Sequence, residues 1–245
     1  MGAAVAVADC GFEVEYRLAG GGPQRAALAG CAGVRLEDAV PARAFRFGKG
    51  LRSFAGWWWL ATTGCHVGYE SFVERDRLML LDFDPEVTGV AAQPLCLCWR
   101  DAGGKARRHV PDFFARLRDG CGVVIDVRPD DRIPERDAEV FAVTARACAL
   151  AGWEFRRVGE ADRVLAANVR WLSRYRHPRC ADAAVAGLLV EAFAAGAPLF
   201  DGAACAGDRL KVLPVLFHLM WCGGLTADLS GGPLGPATVV RAASW

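Results

Sequence analysis

Two aspartates and an arginine have the spacing of a site that handles phosphate. Asp112 follows a proline at the start of one apolar run, and Asp126 and Arg128 stand two residues apart at the end of the next. Because side chains alternate along a strand, Asp126 and Arg128 are expected to project from one face. A short hairpin between the two runs would place Asp112 beside them.

Glu74 is expected to bring a third carboxylate from a helix upstream. Glu70 would lie one turn earlier on the same face if the helix starts that soon. Carboxylates that converge repel one another unless a cation lies among them, and oxygen ligands suit Mg²⁺ or Mn²⁺. Such an ion activates water for phosphodiester hydrolysis. The same residues could also have no shared role. Asp112 would then belong to a strand-entry turn, Asp126 and Arg128 would form a surface ion pair, and Glu74 would lie on a solvated helix face.

The elements that must position these residues predict an α/β core. Apolar periodicity indicates helices over 71–81 and 137–151, and turn residues at 101–104 and 119–120 separate strand-like runs. One helix, an antiparallel trio of strands, a crossover helix and another strand are typical of a mixed sheet flanked by helices. The predicted strands cover 87–99, 109–117, 122–127 and 153–158.

The region before this core, residues 12–47, alternates apolar and polar residues and predicts short strands. The stretch 43–59 interleaves basic and aromatic residues, a pattern that can grip a nucleic-acid backbone and stack on bases. An edge strand with a solvated face accounts for the same pattern. The interleaved residues are Arg43, Phe45, Arg46, Phe47, Lys49, Arg52 and Phe54.

After residue 160 the sequence becomes mostly helical and then ends in two strand-like runs. Helices followed by a hairpin are the pattern of a winged helix. The predicted helices cover 164–175, 181–195 and 208–222, and the strand-like runs cover 224–229 and 237–243.

Arginines with aromatic residues between them mark the first of these helices and the turn after it. The aromatic residues are Trp171 and Tyr175. The pattern predicts contacts to a DNA backbone or, equally, a solvated helix face. The arginines are Arg170, Arg174, Arg176 and Arg179.

The composition is that of a globular protein: 245 residues, 53% hydrophobic and 23% charged, with a formal net charge of +1. This charge favours no class of partner. No apolar run reaches the roughly 18 residues of a membrane span, and the N-terminus lacks the basic region of a signal peptide. A cytoplasmic protein without a membrane partner is expected.

The 10 cysteines contain no CxxC pair, which favours free thiols over disulfides. His177, Cys180, His218 and Cys222 have spacings that a zinc site could use. The same two segments also read as ordinary apolar helix and loop.

Several motifs occur in order between residues 66 and 160. They are Tyr-Glu-Ser-Phe-Val-Glu at 69–74, Asp-Pro at 84–85, Gln-Pro at 93–94, His-Val-Pro-Asp-Phe at 109–113 and Val-Ile-Asp-Val-Arg-Pro at 124–129. Together they resemble TnsA, the strand-cleaving subunit of heteromeric transposases, in the restriction-endonuclease-like, PD-(D/E)xK, class. Weaker similarity extends to 168–172 and 213–221.

By motif position, the catalytic set of that family falls on Glu74, Asp112 and Arg128, with Asp126 as the polar strand residue. The resemblance implies an Mg²⁺- or Mn²⁺-dependent endonuclease. Its partners would be double-stranded DNA, a separate transposase that cuts the other strand, and an ATPase regulator. Arg128 departs from the lysine usual in the family, because arginine keeps the charge but is bulkier and does not deprotonate.

We therefore expect a nuclease that hydrolyses a phosphodiester at transposon ends. Glu74, Asp112 and Asp126 would be metal ligands, and Arg128 would be the cation that stabilises the phosphate. Two alternatives stay open. One is a catalytically inactive subunit that bridges DNA and partner proteins, and the other is a free-standing restriction-type nuclease.

The expected domain organisation has three parts. An N-terminal β-rich extension covers 1–65, the nuclease core covers 66–180, and a helical, winged-helix-like module covers 181–245. The boundary near residue 180 follows from the change there from mixed strand and helix to Ala-rich helix.

Overall fold

The structure is a computed structural model that describes residues 11–45, 54–129 and 133–243. These residues form a mixture of helices and strands, so the predicted α/β class is confirmed. In chain order the strands are β1 (Glu13–Tyr16), β2 (Gln24–Ala27), β3 (Gly56–Trp59), β4 (His66–Tyr69), β5 (Val87–Ala92), β6 (Leu95–Arg100), β7 (Ala106–His109), β8 (Phe113–Leu117), β9 (Gly122–Val127), β10 (Glu154–Val158), β11 (Ala197–Pro198), β12 (Leu225–Ala227) and β13 (Val239–Ala242). The helices are α1 (Phe72–Phe83), α2 (Glu135–Leu150), α3 (Arg163–Leu172), α4 (Ala183–Ala192), α5 (Leu199–Ala206) and α6 (Arg209–Trp221).

The chain divides into two compact units. The first comprises Met1–Arg77 and Glu86–Glu160, and the second comprises Leu78–Pro85 and Ala161–Trp245. This division falls at residue 160, whereas the sequence predicted a boundary near residue 180. The predicted N-terminal extension lies in the same unit as most of the predicted nuclease core.

One sheet of the first unit contains the predicted trio of strands. Its order is β10-β9-β8-β5, in which β5, β8 and β9 are antiparallel and β10 runs parallel to β9. Helix α2 makes the crossover that a parallel pair requires. The turn between β8 and β9 has Gly120 at φ 88, a conformation that glycine adopts without steric cost. Every residue of β9 is buried, because the strand is central in the sheet.

Two of the predicted strands are wrong in extent. The predicted strand 87–99 breaks at Gln93-Pro94, where Gln93 has φ 49. The predicted strand 109–117 breaks at Val110-Pro111-Asp112. In both cases the first half and the second half join different sheets. A proline has no N–H to donate to a strand ladder, which explains why each break lies at one.

A second sheet of the first unit has the order β2-β1-β6-β7. The alternation predicted for its first strand is confirmed, because Val14 and Tyr16 are buried while Glu13 and Glu15 occupy the other face. The buried face packs with the first sheet and α2 in one apolar core. Its members are Val14, Tyr16, Leu28, Cys31, Leu36, Leu95, Leu97, Trp99, Phe114, Val124, Ala147, Cys148, Ala151 and Trp153.

The second unit is mainly helical and carries a three-stranded antiparallel sheet of order β11-β13-β12. Aspartates cap three of its helices, since Asp162, Asp182 and Asp208 accept backbone N–H groups at the starts of α3, α4 and α6. Helix α5 was not predicted from the sequence. None of the helices in the described ranges is long and apolar enough to cross a membrane.

Candidate active site

Asp112 lies where β7 gives way to β8, and the hairpin places it beside the end of β9. Its Oδ2 accepts a hydrogen bond of 2.7 Å from the backbone N–H of Val127. Its own carbonyl oxygen accepts from the N–H of Gln93 at 2.8 Å. The residue as a whole is of intermediate exposure. The backbone on both sides therefore fixes the position of Asp112.

Asp126 is the penultimate residue of β9 and is only 3% exposed. A buried carboxylate needs a partner, and His109 supplies one at the end of β7. The His109 Nε2 lies 2.8 Å from the Asp126 Oδ2. Because a carboxylate can only accept, this nitrogen is the one that donates. No sequence pattern singled out His109, although it stands three residues before Asp112 in the His-Val-Pro-Asp-Phe motif at 109–113.

Glu74 lies in the first turn of α1, where both of its oxygens serve the start of the helix. Its Oε1 accepts from the Ser71 hydroxyl at 2.9 Å, and its Oε2 accepts from the Glu70 N–H at 2.7 Å. The Ser71 hydroxyl in turn accepts from the Glu74 N–H at 3.1 Å. The pattern Ser-x-x-Glu is close to a capping box. The predicted metal ligand is thus also a capping residue.

Glu70 precedes α1, which begins at Phe72, so the helix does not start soon enough to place Glu70 on its face. Both of its oxygens accept hydrogen bonds from Arg43, at 2.8 and 2.6 Å. A bidentate pair of this kind fixes the geometry of both side chains. Glu70 is therefore oriented by Arg43 rather than by the helix.

Arg128 is the first residue after β9, and its side chain is 47% exposed. Its Nε lies 3.6 Å from the Asp137 Oδ2, in the first turn of α2. The sequence reasoning did not identify Asp137 as a partner. The cation stands at the edge of the carboxylate cluster, where it favours the ionised forms of Asp112 and Glu74.

The pKa values of Asp112 and Glu74 depend on burial and on the charges of neighbouring carboxylates. Burial is the main cause that raises the pKa of Asp112 to about 7, and the charges of Asp126 and Glu74 raise it further. The Val127 N–H and Arg128 oppose this shift. The pKa of Glu74 is also raised, mainly by burial, against the hydrogen bonds from Glu70 and Ser71. Mutual repulsion of this kind is what a bound cation relieves.

The donors present are carboxylate oxygens, which fit a hard divalent cation. In the described part of the chain, the oxygens of Glu74, Asp112 and Asp126 do not all lie within 4.8 Å of one another. Both oxygens of Glu74 are engaged at the start of α1.

The predicted DNA-binding arginines belong to the second unit and differ in their surroundings. Arg170 and Arg179 are exposed, and the Arg174 guanidinium lies 4.9 Å from the centre of the Trp171 ring. Arg176 is instead half-buried. It donates to the Ser173 carbonyl at 2.5 Å, and its Nε lies 3.9 Å from the buried Asp82 carboxylate. Burial lowers the pKa of Arg176, and Asp82 opposes that shift.

The structure describes only some of the remaining candidates, which are the possible zinc ligands and the basic and aromatic residues of 43–59. The His218 Nε2 lies 3.6 Å from the Cys222 Sγ, and its Nδ1 contacts the Tyr175 carbonyl at 2.8 Å. Within the described ranges, these residues do not join His177 and Cys180 in a group of potential metal ligands. Of the interleaved basic and aromatic residues, Arg46, Phe47, Lys49 and Arg52 lie outside the described residues.

Comparison with known proteins supports the resemblance to TnsA that the motifs indicate. Residues 84–160 match the family model for the TnsA-like endonuclease N terminal. The match includes Asp112, Asp126 and Arg128, whereas Glu74 lies before it. The search of curated proteins gives no match. The chain is therefore similar to the TnsA-like endonucleases over residues 84–160, and the resemblance stated from its sequence is confirmed there.

Proposed function

We propose that this protein is a metal-dependent DNA endonuclease, the subunit of a transposase that hydrolyses a phosphodiester at transposon ends. The observation that carries the proposal is the meeting of Asp112, Asp126 and Arg128 at neighbouring strand ends within the segment that matches TnsA-like endonucleases. Buried carboxylates with a neighbouring cation suit phosphodiester chemistry better than they suit a stable core.

Glu74, Asp112 and Asp126 would hold Mg²⁺ or Mn²⁺. When bound, the ion supplies an activated water and stabilises charge on the phosphate. His109 orients the Asp126 carboxylate through its 2.8 Å hydrogen bond, a role that ligand-supporting residues commonly have. The Val127 N–H similarly fixes one oxygen of Asp112 and leaves the other for a ligand.

Arg128 would contact the scissile phosphate. Its exposed side chain can reach a substrate at the edge of the cluster, and the Asp137 carboxylate restrains it on one side. A guanidinium can stabilise developing negative charge through several donors. It does not release a proton at neutral pH, so water activation falls to the carboxylates and their ion.

The second unit would contact double-stranded DNA and the partner proteins. Arg170, Arg174 and Arg179 offer exposed cations for backbone phosphates, whereas Arg176 has a structural role beside Asp82. A winged-helix-like module is supported by the element order α4-β11-α5-α6-β12-β13 with one three-stranded sheet. The expected partners are the transposase that cuts the other strand and its ATPase regulator.

Aromatic residues near the start of α1 offer a further surface for DNA. Phe54 is 63% exposed and stacks on Phe72 with ring centres 4.8 Å apart, and Arg75 lies over the Phe72 ring. Trp57 is 53% exposed on the adjoining hairpin β3-β4. Such rings can stack on bases close to the strand that is cut.

The test is nicking of DNA with transposon ends, in Mg²⁺ or Mn²⁺ and with partner proteins present. Asp112→Ala should abolish metal-dependent nicking in a folded protein, because it removes the carboxylate that senses the charges of both of the others. Glu154→Ala is the matched control, since this carboxylate of the same sheet pairs with Arg156 and should be dispensable. Unchanged cleavage by folded Asp112→Ala protein would remove Asp112 from the mechanism.

The same assay separates the alternatives. An inactive assembly subunit is favoured by the Glu74 cap and by the Arg128–Asp137 pair, which occupy two of the four site residues. In that case the wild-type protein binds DNA and partners but shows no metal-dependent nicking. A free-standing restriction-type nuclease would cut with no partner protein added.

A further inference from the structure

Two cysteines and a glutamate meet on the face of the second sheet that points away from the apolar core. Cys96 and Cys98 stand two residues apart on β6, so they share this face. Their sulfurs are 3.9 Å apart, and both residues are at most 9% exposed. Glu15 on β1 is the register partner of Cys96. Strand pairing thus fixes all three residues.

The spacing of these donors matches a tetrahedral metal site. One ligand atom from each of Glu15, Cys96 and Cys98 lies within 4.8 Å of the other two, and no other such group occurs in the described ranges. With zinc–sulfur bonds of about 2.3 Å, two sulfurs at tetrahedral corners stand about 3.8 Å apart. The observed 3.9 Å agrees with that separation.

Arg108 on β7 completes the surroundings in a way that favours a metal. Its Nε lies 3.2 Å from the Cys96 Sγ, and its Nη2 donates to the Glu15 Oε2 at 2.6 Å. Two thiolates and a carboxylate around a divalent ion leave a single negative charge, which Arg108 offsets together with Arg25, whose Nη1 lies 3.4 Å from the Glu15 Oε1. Hydrogen bonds to liganding atoms also orient them, as outer groups do in known metal sites.

The cluster is open on one side. A cavity of about 460 Å³ is lined by Glu15, Cys96 and Arg108, together with Arg17 and Arg25. It gives an ion a route to Cys96 and Glu15 and leaves room for a fourth ligand such as water. Cysteines that pack only as apolar side chains do not need a carboxylate and a guanidinium over them.

We propose that Glu15, Cys96 and Cys98 bind a thiophilic divalent cation of the Zn²⁺ class, with Arg108 as a positioning residue. The site shares no residue with the nuclease carboxylates and uses sulfur rather than oxygen ligands. It joins β1 to β6 and so stabilises the sheet that packs against the nuclease core. It is independent of the proposed endonuclease activity.

The experiment uses Co²⁺ as a spectroscopic probe of the reduced, metal-free full-length protein. Thiolate ligands give Co²⁺ an intense charge-transfer absorption that oxygen ligands do not. We expect one equivalent of Co²⁺ to develop this band and Zn²⁺ to abolish it. Cys96→Ser and Cys98→Ser should lose the band, and Cys121→Ser is the matched control, with its thiol outside the cluster.

Two further variants sharpen the result. Glu15→Gln should weaken Co²⁺ binding at least tenfold, and it leaves the core unchanged because its side chain is 34% exposed. Asp112→Ala should keep the band in full, which separates this site from the proposed nuclease site. An unchanged Co²⁺ affinity in Glu15→Gln would remove Glu15 from the ligand set and overturn the proposal.

X-ray absorption of the Zn²⁺-loaded wild type needs no variant and covers the case in which a cysteine variant fails to fold. It should count two sulfur neighbours at about 2.3 Å. A spectrum without sulfur neighbours overturns the proposal. So does a charge-transfer band that persists in folded Cys96→Ser protein, or its absence from the wild type.

Discussion

The ionisation of Asp112 depends on several neighbouring groups. The Val127 N–H holds one of its oxygens, and the charges of Asp126 and Glu74 oppose its ionisation. The neighbouring Arg128 favours the ionised form but is itself engaged by Asp137. The ionisation of Asp112 is therefore sensitive to the charges around it.

Stability of the metal-free protein should depend on pH through Asp112. Its pKa is raised to about 7 in the folded chain, whereas an unfolded aspartate titrates near 3.9. The folded state thus binds this proton more tightly. The stability that it contributes is complete below about pH 4 and is lost as the pH rises through about 7.

We therefore expect the melting temperature of metal-free wild type to fall between about pH 5 and pH 8 more steeply than that of Asp112→Asn. Thermal unfolding in a chelator at constant ionic strength measures the difference. Added Mg²⁺ should reduce it, because the ion offsets the repulsion among the carboxylates. Identical pH dependence in the two proteins would show that Asp112 is not the group that titrates.

Arg128 allows a direct test of the proposed phosphate-stabilising cation. Arg128→Ala should lower the single-turnover nicking rate by roughly a hundredfold, the scale for losing one electrostatic stabiliser. DNA affinity should change far less, because one phosphate contact is a small part of the total. Arg128→Lys should keep or raise the rate.

Asp137→Ala is the matched control for Arg128, because it removes the ion-pair partner and keeps the cation. Its nicking rate should stay within about tenfold of the wild type, since an exposed ion pair contributes little. If Arg128→Ala cuts as fast as an active wild type, Arg128 has no part in the reaction.

At the scale of elements, the sequence predicted those strands, turns and helices whose formation depends on neighbouring residues in the chain. The alternation around Val14, the hairpin at Gly120 and the crossover helix α2 follow from periodicity and turn chemistry, and the structure contains all three. The position of Asp112 beside the end of β9 followed from the hairpin alone.

Contacts between the two sheets of the first unit could not be predicted from local sequence patterns. His109 ends β7 in one sheet and meets Asp126 in the other, and only the break at Pro111 sends the chain from one to the other. The Arg128–Asp137 pair likewise depends on where α2 begins. The use of Glu74 as a cap could have been read from Ser71 three residues earlier.

In the second unit, Asn168 joins α3 to the loop after β12. Its buried side chain donates to the carbonyls of Leu229 and Gly232 and accepts from the Leu234 N–H, at 2.8–2.9 Å. Asn168→Ala should lower the free energy of unfolding by roughly 2–4 kcal/mol, because it leaves buried backbone groups unpaired. Chemical denaturation measures this loss.

Arg170→Ala, on the exposed face of the same helix, is the control and should change stability by less than about 0.5 kcal/mol. Asn168→Asp should be at least as damaging as Asn168→Ala, since it places a carboxylate against two carbonyl oxygens. A stable Asn168→Ala protein would show that this loop is held by other contacts.

At the scale of the whole molecule, the second unit takes residues 78–85 from within the span of the first. Phe83 lies against Trp221 with ring centres 5.2 Å apart, and Leu78 and Met79 are at most 1% exposed. A fragment that ends at residue 160 would leave the packing partners of this segment behind. Exposed apolar surface of this kind promotes aggregation.

We expect fragment 1–160 to be largely insoluble when expressed alone and to become soluble when fragment 161–245 is expressed with it. Co-purification of the two fragments measures their association, and Trp221→Ala in the second fragment should weaken it. A soluble, monomeric fragment 1–160 that unfolds cooperatively would contradict the expectation.

The placement of residues 78–85 also has a consequence for inheritance. A single crossover between two related genes cannot exchange one unit and leave the other intact, because a break before residue 78 divides the first unit and a break after residue 85 separates this segment from the rest of the second unit. Recombinants would pair a segment from one parent with a helical unit from the other. We therefore expect the two units to change together in a lineage. Recombination is not expected to exchange them separately.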